Sequence, residues 1–202
     1  VGTGVRGVVS AANYEARKFG IHAAMPVGRA KRLAPHAIFV PPNMSRYSEV
    51  SSHIMEIFRS VTPLVEPLSL DEAYLDVTDC EECQGSATLI AQQIREVIAQ
   101  EVGVTASAGV APNKFLAKVA SDLNKPDGQY VITPKSVDEF VKTLEVKRIF
   151  GVGKVTNEKL NRLGIKTCGD LQERTLIELV DKFGTFGKRL HDLSFGIDNR
   201  PV

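Results

Sequence analysis

The chain has no apolar run long enough to span a membrane, and its N-terminus lacks the charged-then-apolar pattern of a secretion signal. A membrane partner is therefore not expected. Its three cysteines are too few for a disulfide framework, which points to a reducing compartment. Cys80-Glu81-Glu82-Cys83 has the CxxC spacing of a zinc or redox motif, but Cys168 stands alone and the four histidines are scattered. A structural zinc needs four placed ligands, and no second ligand pair is present. Internal repeats and low-complexity tracts are also missing. The chain opens Val1-Gly2-Thr3 without an initiator Met, and the expectation is a processed or trimmed piece of something longer.

What is present is a soluble composition, 43% hydrophobic and 24% charged over 202 residues, enough for a real core. The net charge of +1 hides an uneven distribution. Residues 1–43 carry 6 Lys and Arg against 1 acid, residues 44–132 carry 6 against 13, and residues 133–202 carry 13 against 10. Two basic blocks flanking an acidic one suit a metal-centred site that faces a polyanion, although compositional scatter would give the same pattern.

The acidic block holds the most informative segment, Ser69-Leu70-Asp71-Glu72-Ala73-Tyr74-Leu75-Asp76-Val77-Thr78. Asp71 and Glu72 lie where one apolar strand folds back into another. An unpaired buried charge is costly, and a divalent cation would offset that cost. Carboxylate oxygens suit Mg²⁺. The alternative is a solvent-facing hairpin tip, where Asp and Glu are ordinary.

Periodicity and capping residues lay out the elements. Short helices are expected from Asn13 to Phe19, ended by Gly20, and from Arg29 to Leu33, followed by a Pro41-Pro42-Asn43 linker. A helix from Tyr47 to Phe58 precedes strands over Leu64–Leu70 and Ala73–Thr78. Ser86 caps a helix running to about Gln100. Val104–Val110 reads as a strand, Pro112 to Leu123 as a helix and Gln129–Ile132 as a short strand. This is a β-α-β-β-α-β unit lacking its first strand, which would leave a sheet with an open slot. From Val137 the pattern is helical, with segments at Val137–Leu144, Thr156–Leu163, Cys168–Val180 and Phe186–Leu193.

Three further groupings carry possible chemistry. Gly151-Val152-Gly153-Lys154 before a helix resembles a helix-hairpin-helix turn. Its glycines allow backbone amides to approach a phosphate, the helix N-terminus adds partial positive charge, and Lys154 adds a counter-charge. A plain glycine turn is the alternative. Tyr14 and Arg17 share a helix face, and a phenol with a guanidinium suits nucleotide phosphates, though such pairs also decorate surfaces. Lys125 lies in the turn Asn124-Lys125-Pro126-Asp127-Gly128 and gains interest only if the fold brings it near the carboxylates.

Taken with Val9–Gly20, Ser107–Lys114 and Ala120–Gly128, the Ser69–Asp76 segment strongly resembles the Y-family DNA polymerases, and the likeness runs along essentially the whole chain. The resemblance implies an α+β right-hand core. Fingers would occupy 1–43, a ferredoxin-like palm without its first strand 44–132, and an all-helical thumb with the helix-hairpin-helix 133–202. It implies a bacterial, cytoplasmic, monomeric lesion-bypass polymerase that uses two Mg²⁺ ions, primer-template DNA and dNTP. A sliding clamp would bind a part outside this chain, and the palm's further metal-binding Asp, the ribonucleotide-excluding aromatic and the little finger also lie outside it.

Carried over by position, Asp71 matches a ligand of the catalytic metals, Glu72 the carboxylate beside the primer 3′-hydroxyl, and Tyr14, Arg17 and Lys125 the residues that hold the triphosphate. Gly151, Gly153 and Lys154 match the DNA-contacting hairpin. Two departures stand out: Ala11 replaces a Thr that touches the triphosphate in many relatives, and Phe150 replaces a Pro common in the hairpin turn. The 202 residues alone are expected to show little or no polymerase activity. The competing readings are a non-catalytic DNA-binding helix-hairpin-helix module and a nucleotidyl cyclase-like enzyme on the same palm topology.

Overall fold

The computed structural model describes residues 1–4 and 6–202, which divide into two compact units, Val1–Val50 and Ser51–Val202. In the first unit, α1 (Tyr14–Lys18) is capped by Asn13, whose Oδ1 accepts from the Ala16 amide at 3.0 Å. Gly20, at φ +76°, closes the helix by donating its amide to the Arg17 carbonyl at 2.9 Å. Pro26 stands at the N-cap of α2 (Val27–Leu33), which starts two residues before the expected Arg29 because Pro26 presets the entry. Val9 is stitched to the α1–α2 connection: its amide donates to Met25 O and its carbonyl accepts from Ala24 N, both at 2.8 Å. Val9, Ile21, Met25, Val27, Ala30 and Ala34 form this unit's small core.

The division between the units falls within α3 (Met44–Val61). In the second unit, β1 (Val65–Pro67) and β2 (Ala73–Leu75) make an antiparallel hairpin, followed by α4 (Ala87–Glu101). β3 (Ala108–Val110) and β4 (Gln129–Val131) run parallel, joined by α5 (Lys114–Leu123) as the crossover. Element order after α3 therefore begins ββαβ and continues with α5 and β4, as the sequence pattern predicts, while the strands form two separate two-stranded ladders rather than one sheet.

All four strands are shorter than their apolar runs. Leu68 and Ser69 turn their amides onto the Glu72 carbonyl, at 2.8 and 3.3 Å, which stops β1. Asp76 Oδ1 accepts from the Thr78 amide at 3.0 Å and its hydroxyl at 2.6 Å, which turns the chain soon after β2 and holds the Asp76 carboxyl below the usual range.

The remaining helices are α6 (Val137–Thr143), α7 (Lys154–Arg162), α8 (Cys168–Gln172), α9 (Leu176–Phe183) and α10 (Thr185–Ser194). The single helix expected over Cys168–Val180 is in fact two, α8 and α9. Thr175 Oγ1 accepts from the Glu178 amide at 3.2 Å while Glu178 Oε2 accepts from the Thr175 amide at 2.8 Å, a capping box that restarts the helix.

Two apolar clusters fill this unit. Ile57 of α3 packs with Ile90, Ile94 and Ile98 of α4, and Leu75 of β2 lies against them. A larger cluster runs from Phe115, Leu116 and Val119 of α5 into Leu160, Leu171 and Leu190 of the helical region. Cys168 lies within it, and burial pushes its thiol up to about 12, so it is inert. Cys80 and Cys83 are free and face different acceptors, Val61 O at 3.4 Å and Gln93 Oε1 at 3.0 Å. Among the described residues no three His, Cys, Asp or Glu side chains gather as a metal cluster, and no helix is long and apolar enough to cross a membrane.

Candidate active site and nucleic-acid interface

The hairpin's tip is set by backbone pairing. Glu66 opposes Tyr74 and Pro67 opposes Ala73, which leaves Ser69, Leu70 and Asp71 at the turn and Glu72 at its closing edge. Asp71 is exposed, and Ser69 Oγ donates to its Oδ1 at 2.7 Å. Glu72 is half-buried and ion-paired with Lys118 of α5.

The hairpin meets a charged stripe on α5. Lys114, Lys118 and Asp122 recur every fourth residue and so share one face of the helix. Lys114 pairs with Glu66, Lys118 with Glu72, and Asp122 with Lys125 at 2.6 Å. The Glu72 and Lys125 pairs therefore attach one helical turn apart, about 6 Å. The structure ties Glu72 and Lys125 to the same side of α5, through Lys118 and Asp122, while Asp71 contacts Ser69 within the hairpin turn.

Lys114 is 7% exposed, and its charge is fully engaged. Besides Glu66, its ammonium donates to Pro201 O at 2.8 Å and lies 5.1 Å from the Tyr74 ring centroid. Segment 196–201 returns to this helix end: Asn113 Nδ2 donates to Gly196 O at 2.7 Å and Asp198 Oδ2 accepts from the Phe115 amide at 3.0 Å. Burial acts to raise the Asp198 carboxyl, yet hydrogen bonds from Arg200 and Phe115 with the Arg200 charge hold it below the usual range. Burial raises the Tyr74 phenol. Lys114, Lys118, Glu66 and this return segment were not found by sequence reasoning. The available signal was two lysines four apart on an amphipathic helix, with Phe115, Leu116, Val119 and Ala120 on its apolar face.

Asp71 and Glu72 fit a share of a magnesium site. Both offer hard oxygen donors, Asp71 faces solvent, and Glu72 is held by a lysine ammonium that a cation can displace. Further oxygens would have to come from substrate, water or residues beyond the hairpin.

The glycine turn is built differently. Ile149 and Val152 are buried at 1% and 9% exposure while Phe150 between them is 62% exposed. Val152 donates its amide to Ile149 O at 2.9 Å. Gly151 sits at φ +100°, which favours glycine, and the Phe186 ring 3.2 Å from where a Cβ would be leaves little room for a side chain. Gly153 is the N-cap of α7, and Lys154, at its first position, is 90% exposed with Glu158 at 4.0 Å. A cavity of about 440 Å³ lies between this turn and α5, lined among others by Lys118, Asp122, Lys147, Arg148 and Gly151.

In the first unit, Arg17 stacks over Tyr14 at 4.7 Å, and its Nε donates to Ala12 O at 2.9 Å. The two side chains share a face as their spacing requires, and both are exposed.

A hairpin carrying paired carboxylates, together with a helical region bearing a glycine turn, matches what the core of a Y-family DNA polymerase presents. The impB/mucB/samB family matches residues 1–122 and the thumb domain of DNA polymerase-iota matches residues 147–198, and the chain belongs to the impB/mucB/samB family. Its relatives include DNA polymerase IV of Ralstonia nicotianae, 58% identical over 98% of this chain and 55% of that protein, and DNA polymerase IV of Shewanella baltica, 60% identical over 98% and 55%. The chain spans about half the length of these curated relatives. Among solved structures, DinB from Sulfolobus solfataricus superimposes with a TM-score of 0.92 at 37% identity, covering 99% of this chain and 59% of that one. An insertion ternary complex of Dbh DNA polymerase gives 0.91 at 37% identity over 100% and 60%. The α+β right-hand core is therefore the fold, and neither competing reading draws support from these likenesses.

Proposed function

We propose that the full-length protein carrying this chain is a template-directed DNA polymerase of the lesion-bypass class, which adds a dNTP to a primer 3′-hydroxyl. The observation that carries this reading is the hairpin tip that presents Asp71 and Glu72 beside the Lys118–Asp122–Lys125 stripe, in a chain whose relatives are DNA polymerases throughout its length. On this reading residues 1–43 are fingers, 44–132 palm and 133–202 thumb. The protein acts as a monomer in the bacterial cytoplasm, and a sliding clamp binds a part outside this chain.

In the reaction the primer 3′-hydroxyl gives up its proton to solvent, its oxygen attacks the α-phosphorus of the dNTP, the bond to the bridging oxygen breaks, and pyrophosphate leaves. Asp71 and Glu72 would hold two magnesium ions, which when bound stabilise charge on the attacking and leaving oxygens. Asp71 is already oriented by Ser69 Oγ. Glu72, now paired with Lys118, would have to give up that ion pair to help hold a cation, which would leave the Lys118 ammonium available to substrate negative charge. Tyr14, Arg17 and Lys125 hold the β- and γ-phosphates and supply positioning, which carries most of phosphoryl-transfer catalysis. Gly151, Gly153 and Lys154 contact the DNA backbone without reading sequence.

The test is magnesium-dependent nucleotide incorporation by the full-length protein with and without primer-template. Extension that requires both magnesium and template is expected. A cyclic product formed without template would assign the palm to a cyclase, and no incorporation at all would leave a DNA-binding module.

A further inference from the structure

Lys125 sits in a turn whose shape is imposed from another element. Arg95, near the middle of α4, reaches the Asn124–Gly128 turn: its Nη2 donates to Asp127 O at 2.7 Å and to Asp127 Oδ1 at 2.8 Å. Its Nε donates to Ala106 O at 2.8 Å, in the loop that leads into β3. One guanidinium thus ties three segments, α4, the loop before β3 and the turn after α5. The Arg95 side chain is 18% exposed while that of Asp127 is 55% exposed, so the clamp reaches outward from a largely enclosed base. Its planar fork fits this geometry in a way that a lysine cannot reproduce.

The turn has little freedom of its own. Asn124 Nδ2 donates to Gln129 O at 2.7 Å, and a Cβ at Gly128 would lie 1.8 Å from the Asn124 carbonyl oxygen, so the backbone folds into contact with itself. Asp127 adopts φ +47°, a left-handed conformation that needs outside support in a residue with a side chain. Arg95 supplies that support through both the carbonyl and the carboxylate of Asp127.

We infer that Arg95 is a positioning residue for the triphosphate subsite: it fixes the turn that presents Lys125 and keeps the Asp127 carboxylate from competing with phosphate for that lysine. The inference rests on the proposed role of Lys125 in holding the nucleotide. Two physical effects act together. The clamp sets the direction in which the Lys125 stem leaves the backbone, next to the Glu72–Lys118 pair one turn along α5. It also engages the acid two residues from Lys125, which on a loosened turn would be the nearest carboxylate to pair with its ammonium alongside Asp122. Arg95 itself touches neither substrate nor metal, so losing it should weaken nucleotide binding while leaving the chemical step nearly intact.

Single-turnover nucleotide titrations on the full-length protein bound to primer-template separate these quantities. Lys125→Ala is expected to raise the nucleotide Kd by roughly tenfold or more, the scale of one charge-assisted contact. Arg95→Met should raise it by roughly threefold to tenfold with the maximal rate changed by less than about twofold, and Arg95→Lys should fall between. The Arg95→Met, Lys125→Ala double variant should bind nucleotide no worse than Lys125→Ala alone, because both act through one ammonium. DNA affinity and the urea midpoint report on general damage. If Arg95→Met does not fold, Arg95→Lys, which keeps the charge but not the fork, should still raise Kd. The proposal is overturned if Lys125→Ala weakens nucleotide binding while Arg95→Met and Arg95→Lys leave it unchanged, or if the losses in the double variant add. An unchanged Kd in Lys125→Ala itself would show that the triphosphate reading had failed, and the Arg95 role would fall with it.

Discussion

The carboxylate hairpin and the glycine turn both lie in the second unit, and they are held in opposite ways. The hairpin is kept in place by polar pairing: Glu66 with the buried Lys114, a half-exposed and exchangeable pair of Glu72 with Lys118, and a hydroxyl contact of Asp71 with Ser69. The glycine turn is kept by shape, with Ile149 and Val152 sunk into the core and Gly151 pressed over Phe186. On the proposed function, acids that take up a cation gain from partners that a cation can replace, and a turn that grips a uniform phosphate backbone gains from rigid amides whose placement owes nothing to salt. The contrast teaches that the acids would then be poised and the amides preset.

Mutation can break this comparison. Leu160→Ala, in the fully buried core under the glycine turn, should lower unfolding free energy by about 2–5 kcal/mol. Lys118→Met, at the half-exposed hairpin pair, should cost under about 1 kcal/mol. Equal losses for both in urea titrations would erase the distinction.

Gly151→Val meets both a positive φ and the Phe186 ring, so a loss of about 1–3 kcal/mol is expected together with weaker duplex DNA binding. Wild-type affinity in that variant would show that the turn is not preset.

A smaller effect concerns acid. The Asp170 carboxyl is held below the usual range first by the Lys166 and Thr167 amides, each donating to it at 2.8 Å. Because its folded pKa is depressed, its stabilisation is present above about pH 4 and lost as pH falls through the depressed value. Asp170→Asn should flatten the acid limb of the stability curve while moving the hairpin little. An unaltered acid limb would count against these amide contacts.

Smallest of all, Lys154→Ala should reduce the slope of log affinity against log salt by about 1, uniformly across DNA sequences. A change confined to one sequence would mean that the turn reads bases.

Much of the architecture was legible because local chemistry marks it. Asn13, Ser86 and Gly20 punctuate helices where their capping groups act, and the ββαβ order follows the apolar periodicity. The Asp71–Glu72 pair was visible because acids interrupt an apolar hairpin. Less legible were features decided by contacts far apart in the chain. Lys114 looks like an ordinary helix-start lysine until Glu66 and Pro201 close around it from 48 and 87 residues away. Arg95 and Asp127 meet across 32 residues, which no local pattern announces. The break between α8 and α9 was a different failure: the Thr175-x-x-Glu178 box was in plain sight, and the apolar period ran over it.

The most direct test of the poised hairpin is primer extension by the full-length Asp71→Ala protein, measured beside its affinity for primer-template. Extension should fall by about three orders of magnitude or more, as expected when charge stabilisation at a reacting phosphate is removed, while DNA affinity stays near wild type. Undiminished extension would contradict the account.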